Sequence, residues 1–208
     1  MIQLYLDIAI NLAVFLTTAI LFLRSFFMQP VEGKLTGVKV FRFFTTLSNV
    51  FAGIVCFLVF IEEIRLGYKG CFVALPTWVH LLKFMSTAAV SLTLCTVLFF
   101  LGPTKGYKPL FKGSSFYMHL VGPILSIVSL CFLENQVKIS LGQALLGVIP
   151  TILYGAYYLY QVIGVGEENG GWPDLYGFNR NGKWQRSLIL VVLGSLIICL
   201  ILMAVHNL

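Results

Sequence analysis

Charged residues are scarce in this chain of 208 residues, and it has no polar stretch long enough to form a soluble domain. Only 11% of the residues are charged, whereas 59% are hydrophobic. A soluble domain of this length needs far more polar residues to cover its surface. The composition therefore excludes an ordinary soluble protein and predicts a chain that lies almost wholly within a membrane.

Motifs that hold metals or phosphate groups are also lacking. Neither the three histidines nor the five cysteines have metal-ligand spacing, and there is no glycine-rich phosphate loop or nucleophile elbow. We therefore predict no metal site and no cofactor. Only Cys71 lies in a loop, and the other cysteines are expected to pack as small apolar residues within helices.

Six long apolar runs make up most of the sequence. Each can cross a hydrocarbon core of about 30 Å, which takes roughly 20 residues of α-helix. Because lipid offers no hydrogen-bond partners, a spanning segment must satisfy its own backbone. The runs cover residues 4–27, 43–61, 78–101, 116–133, 141–165 and 187–205. We predict an all-α integral membrane protein, a bundle of six transmembrane helices in a single domain over residues 1–208.

Basic residues are unevenly distributed between the two ends of this predicted bundle. Ten of the fourteen lie in or beside the first, third and fifth loops, which we call the basic end. The positive-inside rule places the basic end in the cytoplasm and both chain termini outside. Anchoring to anionic headgroups also accounts for the net charge of +6 without a nucleic-acid partner.

The second run begins with several polar side chains, in the sequence FRFFTTLSN. Thr45 and Asn49 lie four residues apart on one helical face, which Arg42 and Ser48 share. Thr46 points about 100° away from that face. A single Thr or Ser often bonds its own helix or a neighbouring one. Four polar residues within eight positions favour a functional site instead.

The fourth run begins with FYMHLVGP, which contains His119. Pro123 cannot donate a hydrogen bond to the carbonyl of His119, so we expect a weakened helix there. Thr45 and His119 both lie roughly 3–5 Å inside the hydrocarbon edge at the basic end. A single histidine within a membrane is about as often a structural hydrogen-bonding residue between helices as a functional one. The matching depth of Thr45 and His119 favours a shared functional site.

Aromatic residues are concentrated in the fifth run and in the loop that follows it. Tyr158 lies in the run, and Trp172 lies in the loop sequence GGWPDLYGFN. Tyr and Trp near a membrane interface usually form an aromatic belt. This loop is unusually apolar, however, and we predict that it folds back over the site as a cover.

Polar residues toward the opposite end are interpreted as boundary residues. Glu63 is expected at a solvated helix end, His80 at the interface as an anchor, and His206 in solvent. Asp7 is then the only acidic residue within the membrane, which is too few for a typical proton relay. The lack of a clear internal repeat also disfavours an inverted-repeat transporter.

Three of these motifs together resemble a known family. RFFT followed by Asn, a His followed by Pro, and a late G-G-W-P are similar to the androgen-induced-gene family of membrane hydrolases, which includes the androgen-dependent regulator of tissue factor pathway inhibitor. The run FTTLSN is closest to its prokaryotic six-helix relatives. The resemblance implies hydrolysis of esters that join one fatty acid to a hydroxyl on another. It implies a threonine nucleophile at Thr45 and a histidine at His119. If the motif is aligned on Asn49 instead of on its first residues, the nucleophile falls on Thr46.

The corresponding reaction assigns a role to each candidate. His119 takes the proton from the Thr45 hydroxyl, which is a weak nucleophile without a base. Asn49 or Arg42 then stabilises the oxyanion, or Arg42 binds a substrate carboxylate through its planar fork. The remaining predicted substrate-binding residues are Ser48, Tyr158 and Trp172.

Two other functions stay open from the sequence. A membrane acyltransferase would use the same residues with a different acceptor. A non-catalytic transporter or structural protein would use them as hydrogen bonds between helices. We predict a membrane lipid or fatty-acid ester as the partner, no nucleic acid, and a bacterial plasma membrane as the location.

Overall fold

The computed structural model describes residues 2–28, 35–68 and 74–208. Within these ranges, six helices are long and apolar enough to cross a membrane, and each matches one predicted run. They are α1 (Ile2–Phe27), α2 (Phe44–Gly67), α3 (Thr77–Thr104), α4 (Ser114–Leu133), α5 (Leu141–Val165) and α6 (Trp184–His206). The predicted six-helix membrane bundle is confirmed. Cys71 lies outside the described residues.

The helices pack closely where their facing residues are small. A Cβ atom added to Gly53 of α2 would lie 3.0 Å from a methyl carbon of Thr18 on α1. Such close approach maximises van der Waals contact, which drives helix association in lipid, where burying apolar surface gains little. Gly53 therefore brings α2 against α1.

The apolar core joins α3, α4, α5 and α6. Phe84, Leu130 and Cys199 are fully buried in one cluster there, and Cys131 and Ala144 pack with them. Large apolar side chains on the outer face of the bundle are exposed, as lipid-facing residues should be. The prediction that the membrane cysteines pack as small apolar residues is confirmed for Cys131 and Cys199.

The polar side chains form two centres at opposite ends of the bundle. Thr45, near the start of α2, and His119, near the start of α4, lie at the basic end. Asp7, near the start of α1, and Lys83, near the start of α3, lie at the other end, which we call the terminal end because both chain termini are there. Lys83 contacts Cys56 of α2, which lies about 16 Å along the helix axis from Thr45, so the two centres are about half of the hydrocarbon thickness apart.

Thr87 of α3 provides a test of packing between these centres. Its side chain is fully buried, and its hydroxyl has no hydrogen-bond partner among the described residues. An unsatisfied buried hydroxyl costs about 1–3 kcal/mol, and valine keeps the branched shape. We expect Thr87→Val to raise the thermal unfolding midpoint by about 2–4 °C per kcal/mol gained.

The matched control for Thr87→Val is Thr93→Val on the same helix. The hydroxyl of Thr93 lies 3.0 Å from the hydroxyl of Ser48, so its removal is expected to lower the midpoint. A lower midpoint for Thr87→Val as well would show that the Thr87 hydroxyl makes a stabilising bond in the folded protein.

Candidate functional site

Thr45 is the second residue of α2, at the N-terminus of the helix. The helix begins at Phe44, just after a short 3₁₀ turn over Gly37–Arg42. The first N–H groups of a helix have no partner within it, and that of Phe44 donates to the hydroxyl of Tyr176 at 2.9 Å. The partial positive charge at a helix N-terminus favours negative charge developing nearby. Thr45 therefore lies where an oxyanion is electrostatically favoured.

The Thr45 side chain lines a cavity of about 70 Å³ between α2, α3, α5 and α6. The walls are predominantly apolar, and Tyr154 and Tyr176 place phenol groups in the lining. Pockets that hold a whole ligand usually measure about 300–1,000 Å³. This cavity is therefore too small for a whole lipid and has room for only a small group.

The loop after α5 covers this cavity through two of its side chains, Tyr176 and Phe178. Asp174 holds the loop in shape, because its carboxylate accepts hydrogen bonds from the backbone N–H groups of Phe178 at 2.9 Å and Asn179 at 2.8 Å. Tyr158, fully buried in α5, donates its hydroxyl to Asp174 at 3.0 Å and accepts from the N–H of Tyr176 at 3.1 Å. The loop therefore lies against the Thr45 cavity, and Tyr158 fastens it to the bundle; that it covers a catalytic site stays a prediction.

Trp172 of the same loop lies beside Arg42. The guanidinium carbon of Arg42 is 5.8 Å from the centre of a Trp172 ring, within cation–π range. Tyr154 donates its hydroxyl to the Arg42 carbonyl at 2.8 Å, which fixes the backbone there. In residues 2–28, 35–68 and 74–208, no carboxylate forms an ion pair with Arg42. Its guanidinium fork is therefore available to a ligand anion.

Tyr176 is the residue of this centre that sequence reasoning missed. Its oxygen accepts the Phe44 N–H, which leaves its own hydrogen free to donate. Burial raises the pKa of the Tyr176 phenol, so the group keeps that hydrogen at neutral pH. The apolar loop sequence indicated a cover, but only the folded chain shows which tyrosine reaches α2.

His119 lies on a π-helical turn, Tyr117–Val121, near the start of α4. Its Nδ1 is 2.8 Å from the carbonyl oxygen of Leu110, on the short connection between α3 and α4. A carbonyl only accepts, so Nδ1 carries the hydrogen and Nε2 is free to take a proton. No hydrogen bond joins His119 to Thr45 among the described residues, so the two side chains must approach for a proton to transfer.

Asn49 ties α2 to α4 at the depth of these two residues. Its amide donates to the carbonyl of Thr45 at 2.8 Å and to that of Met118 at 3.0 Å. In the π-helical register the Met118 carbonyl faces residue 123, which is proline and has no N–H. The sequence predicted that the carbonyl of His119 would lose its donor; in the π turn it is the carbonyl of Met118 that faces the proline, and Asn49 satisfies it. Both amide hydrogens are committed, so in this arrangement Asn49 is a tether and not an oxyanion donor.

Neither Ser48 nor Thr46 lines the Thr45 cavity. Ser48 is buried between α2 and α3, where its hydroxyl lies 3.0 Å from that of Thr93. Thr46 lines a different cavity of about 690 Å³, which Arg24 and Lys112 also line. The two adjacent threonines therefore open onto different cavities, as the predicted rotation between them requires.

The terminal end holds a second polar centre that sequence reasoning did not foresee. The prediction of solvated or interfacial positions is wrong for Glu63, His80 and His206, which are 5%, 4% and 2% exposed. Lys83 and Glu134 are buried beside them. Each residue lies near the end of an apolar run, where the sequence alone does not show whether neighbouring helices cover it.

The fold and the two polar centres define a six-helix integral membrane protein with a covered cavity at its basic end. In comparisons with known proteins, the chain matches no family model, no curated protein and no solved structure. The family resemblance therefore stays a prediction, and the function has to be inferred from the geometry of the site.

Proposed function

We propose that this chain is a membrane lipid-ester hydrolase with Thr45 as nucleophile and His119 as base. The observation that carries the proposal is the position of Thr45, at a helix N-terminus in an apolar cavity that a tyrosine-bearing loop covers. A hydroxyl placed there meets an ester at interface depth while the acyl chains remain in lipid. Esters between a fatty acid and a hydroxy fatty acid fit this arrangement.

The reaction follows acyl-enzyme chemistry. Nε2 of His119 takes the hydroxyl proton as Thr45 Oγ1 attacks the ester carbonyl carbon. The carbonyl π electrons move to oxygen, and the oxyanion lies near the Tyr176 hydroxyl and the N-terminus of α2. When the carbonyl re-forms, the hydroxy fatty acid leaves as an alkoxide and takes the proton from His119. Water then repeats the sequence and releases the second fatty acid.

The approach of the two catalytic side chains is part of this proposal. Catalytic hydrogen bonds are often long in a ligand-free enzyme and tighten in the substrate complex. The bonds of Asn49 keep the first turn of α2 and the π-helical turn of α4 side by side. His119 is not among the residues that line the Thr45 cavity, so the proposal requires the start of α4 to bring His119 toward the Thr45 hydroxyl when substrate binds.

Arg42 gives the site a preference for substrates with a free carboxylate. Lysine keeps the charge but loses the two parallel hydrogen bonds of the fork. We expect Arg42→Lys to raise KM about 10-fold, because hydrogen bonds to charged groups contribute about 1.5–3 kcal/mol. Hydrolysis kinetics with the free acid measure this effect, and the methyl ester of the same substrate should be unaffected. An equal loss with both would contradict carboxylate recognition.

The charge distribution supports the orientation, and the resemblance of FTTLSN to the prokaryotic relatives supports the location. We propose a bacterial plasma membrane, with both termini outside and the Thr45 cavity in the cytoplasmic leaflet. The substrate is then drawn from the inner leaflet.

Product analysis tests the reaction type. The purified protein in detergent is incubated with a fatty-acid ester of a hydroxy fatty acid, with and without an added alcohol. Release of both free acids supports hydrolysis, and transfer of the acyl group to the alcohol at the expense of free acid supports an acyltransferase. Unchanged substrate with a folded protein would favour the transport or structural alternative.

A further inference from the structure

The cavity that Thr46 lines, which we call the Thr46 cavity, is formed by α1, α2, the start of α4 and the connections that lead into α2 and α4. Its volume of about 690 Å³ lies in the range of about 300–1,000 Å³ that is usual for pockets holding a whole ligand. The Thr45 cavity, at about 70 Å³, is far smaller. The Thr46 cavity therefore has room for a ligand of its own.

Positive charge faces this cavity. Arg24, in the last turn of α1, and Lys112, on the connection between α3 and α4, both line it, and both are exposed. Among the described residues, neither forms an ion pair, and the lining residues of the cavity include no carboxylate. Two cations that face one cavity without a protein anion between them favour an anionic ligand.

Hydrogen-bond donors lie on the same side of the cavity as Lys112. α4 begins at Ser114, and Gly113 before it has no side chain to cap the helix. The first N–H groups of a helix have no partner within it, so Ser114 and Ser115, which line the cavity, contribute backbone N–H groups as well as hydroxyls. Together with Arg24 and Lys112, these groups match the several oxygens of a phosphate.

The rest of the cavity wall is largely apolar. Phe22, Val40 and Phe43 line it, and Val40 is only 3% exposed. The ring of Phe22 packs against that of Phe41 on the 3₁₀ turn, with 5.5 Å between the ring centres. A small soluble anion loses water against such surfaces at a cost in free energy, whereas the acyl chains of a lipid are compatible with them.

The depth of the basic residues agrees with a lipid headgroup. Arg24 lies three residues before α1 ends at Phe27, and α4 begins at Ser114. Both positions are at the end of a segment that crosses the hydrocarbon core, which is where the phosphates of the adjacent leaflet lie. Basic pockets between membrane helices on the cytoplasmic side are typical sites for anionic headgroups.

We infer that the Thr46 cavity binds an anionic phospholipid from the leaflet at the basic end, with its phosphate between Arg24 and Lys112 and its acyl chains along Phe22 and Phe43. The lipid is a bound ligand and not a substrate. The inference does not depend on the proposed hydrolase activity, because Thr45 lines the other cavity.

Native mass spectrometry of the purified protein in a neutral detergent tests this inference, because it counts the lipid molecules bound to each protein. Phosphatidylglycerol is added at increasing concentration, and phosphatidylcholine is added separately as a zwitterionic lipid. We expect saturable binding of one phosphatidylglycerol, with a dissociation constant about 10-fold or more below that of phosphatidylcholine. Arg24→Gln combined with Lys112→Gln should raise the constant for phosphatidylglycerol about 10-fold or more, since hydrogen bonds between charged groups are lost.

The matched control is Lys108→Gln combined with Arg186→Gln. It removes one lysine and one arginine from the same end of the bundle, and both are exposed residues that do not line the cavity. The control should bind phosphatidylglycerol as the wild type does. All four substituted side chains are exposed, so both double variants should fold, and their thermal unfolding midpoints check this.

Soluble glycerol phosphate separates a lipid site from a site for free phosphate. We expect it not to displace phosphatidylglycerol at equal concentration, because it has no acyl chains to occupy the apolar part of the cavity. Displacement would show that a free phosphate is the ligand and would overturn the inference. Equal affinity for the two lipids, or an equal loss of affinity in the two double variants, would also overturn it.

Discussion

Replacing Thr45 by alanine is expected to lower kcat/KM for ester hydrolysis by roughly 10⁴-fold or more, as removal of a catalytic nucleophile does in other enzymes. Three other threonines line the cavity. Thr93 bonds Ser48, and Thr151 bonds Ser195, each at 3.0 Å. Thr96 lies far along α3 and not at a helix N-terminus, so none of the three is expected to replace Thr45. Steady-state kinetics with purified variants measure this loss.

Two variants serve as controls for this loss. Thr46→Ala removes the neighbouring hydroxyl, which faces the other cavity, and should leave hydrolysis nearly unchanged. Thr45→Ser keeps a hydroxyl nucleophile and should retain measurable activity. If Thr46→Ala is inactive while Thr45→Ala is active, the protein is still a hydrolase, but its nucleophile is Thr46, in the cavity lined by Arg24 and Lys112.

Replacing Lys83 by methionine is expected to lower the stability of the folded protein severely. The substitution preserves much of the side-chain volume but leaves the Glu134 charge buried without its cation. Breaking a buried ion pair from one side costs about 3–5 kcal/mol. The thermal unfolding midpoint in detergent should fall by roughly 6–20 °C.

Neutralising the partner should recover part of this stability. In Lys83→Met with Glu134→Gln, no unpaired charge remains at that position, and replacing a whole buried pair is often nearly neutral. Lys138→Met removes a lysine on the exposed connection after α4, where its ammonium donates to the Asn207 carbonyl, and should change little. An unchanged midpoint for Lys83→Met would contradict a charged, buried lysine.

The six helices could be predicted because the thickness of the bilayer imposes a length on each apolar run. The cover could be predicted because a loop as apolar as GGWPDLYGFN has to be buried against something. The role of Asn49 could not, since its bond to Met118 depends on the π-helical register that Pro123 imposes on another helix. That register belongs to α4, so the spacing of residues along α2 does not predict it.

The terminal cluster was missed for a related reason. Glu63, His80 and His206 come from three helices, and each looks like an ordinary end residue in its own run, whereas Asp7 alone was expected within the membrane. Charges near the end of a run face either water or neighbouring helices, and only packing decides between them. Here packing covers them, which makes mutual pairing necessary.

Covalent labelling tests most directly whether Thr45 is an activated nucleophile, on which the proposed function depends. The purified protein in detergent is treated with a fluorescent phosphonate probe for serine and threonine hydrolases, and the modified residue is identified by peptide mass spectrometry. We expect an adduct on Thr45 that is lost in Thr45→Ala and His119→Ala and retained in Thr46→Ala. An adduct on Thr46, or a folded wild type that the probe does not label, would contradict the proposed role of Thr45.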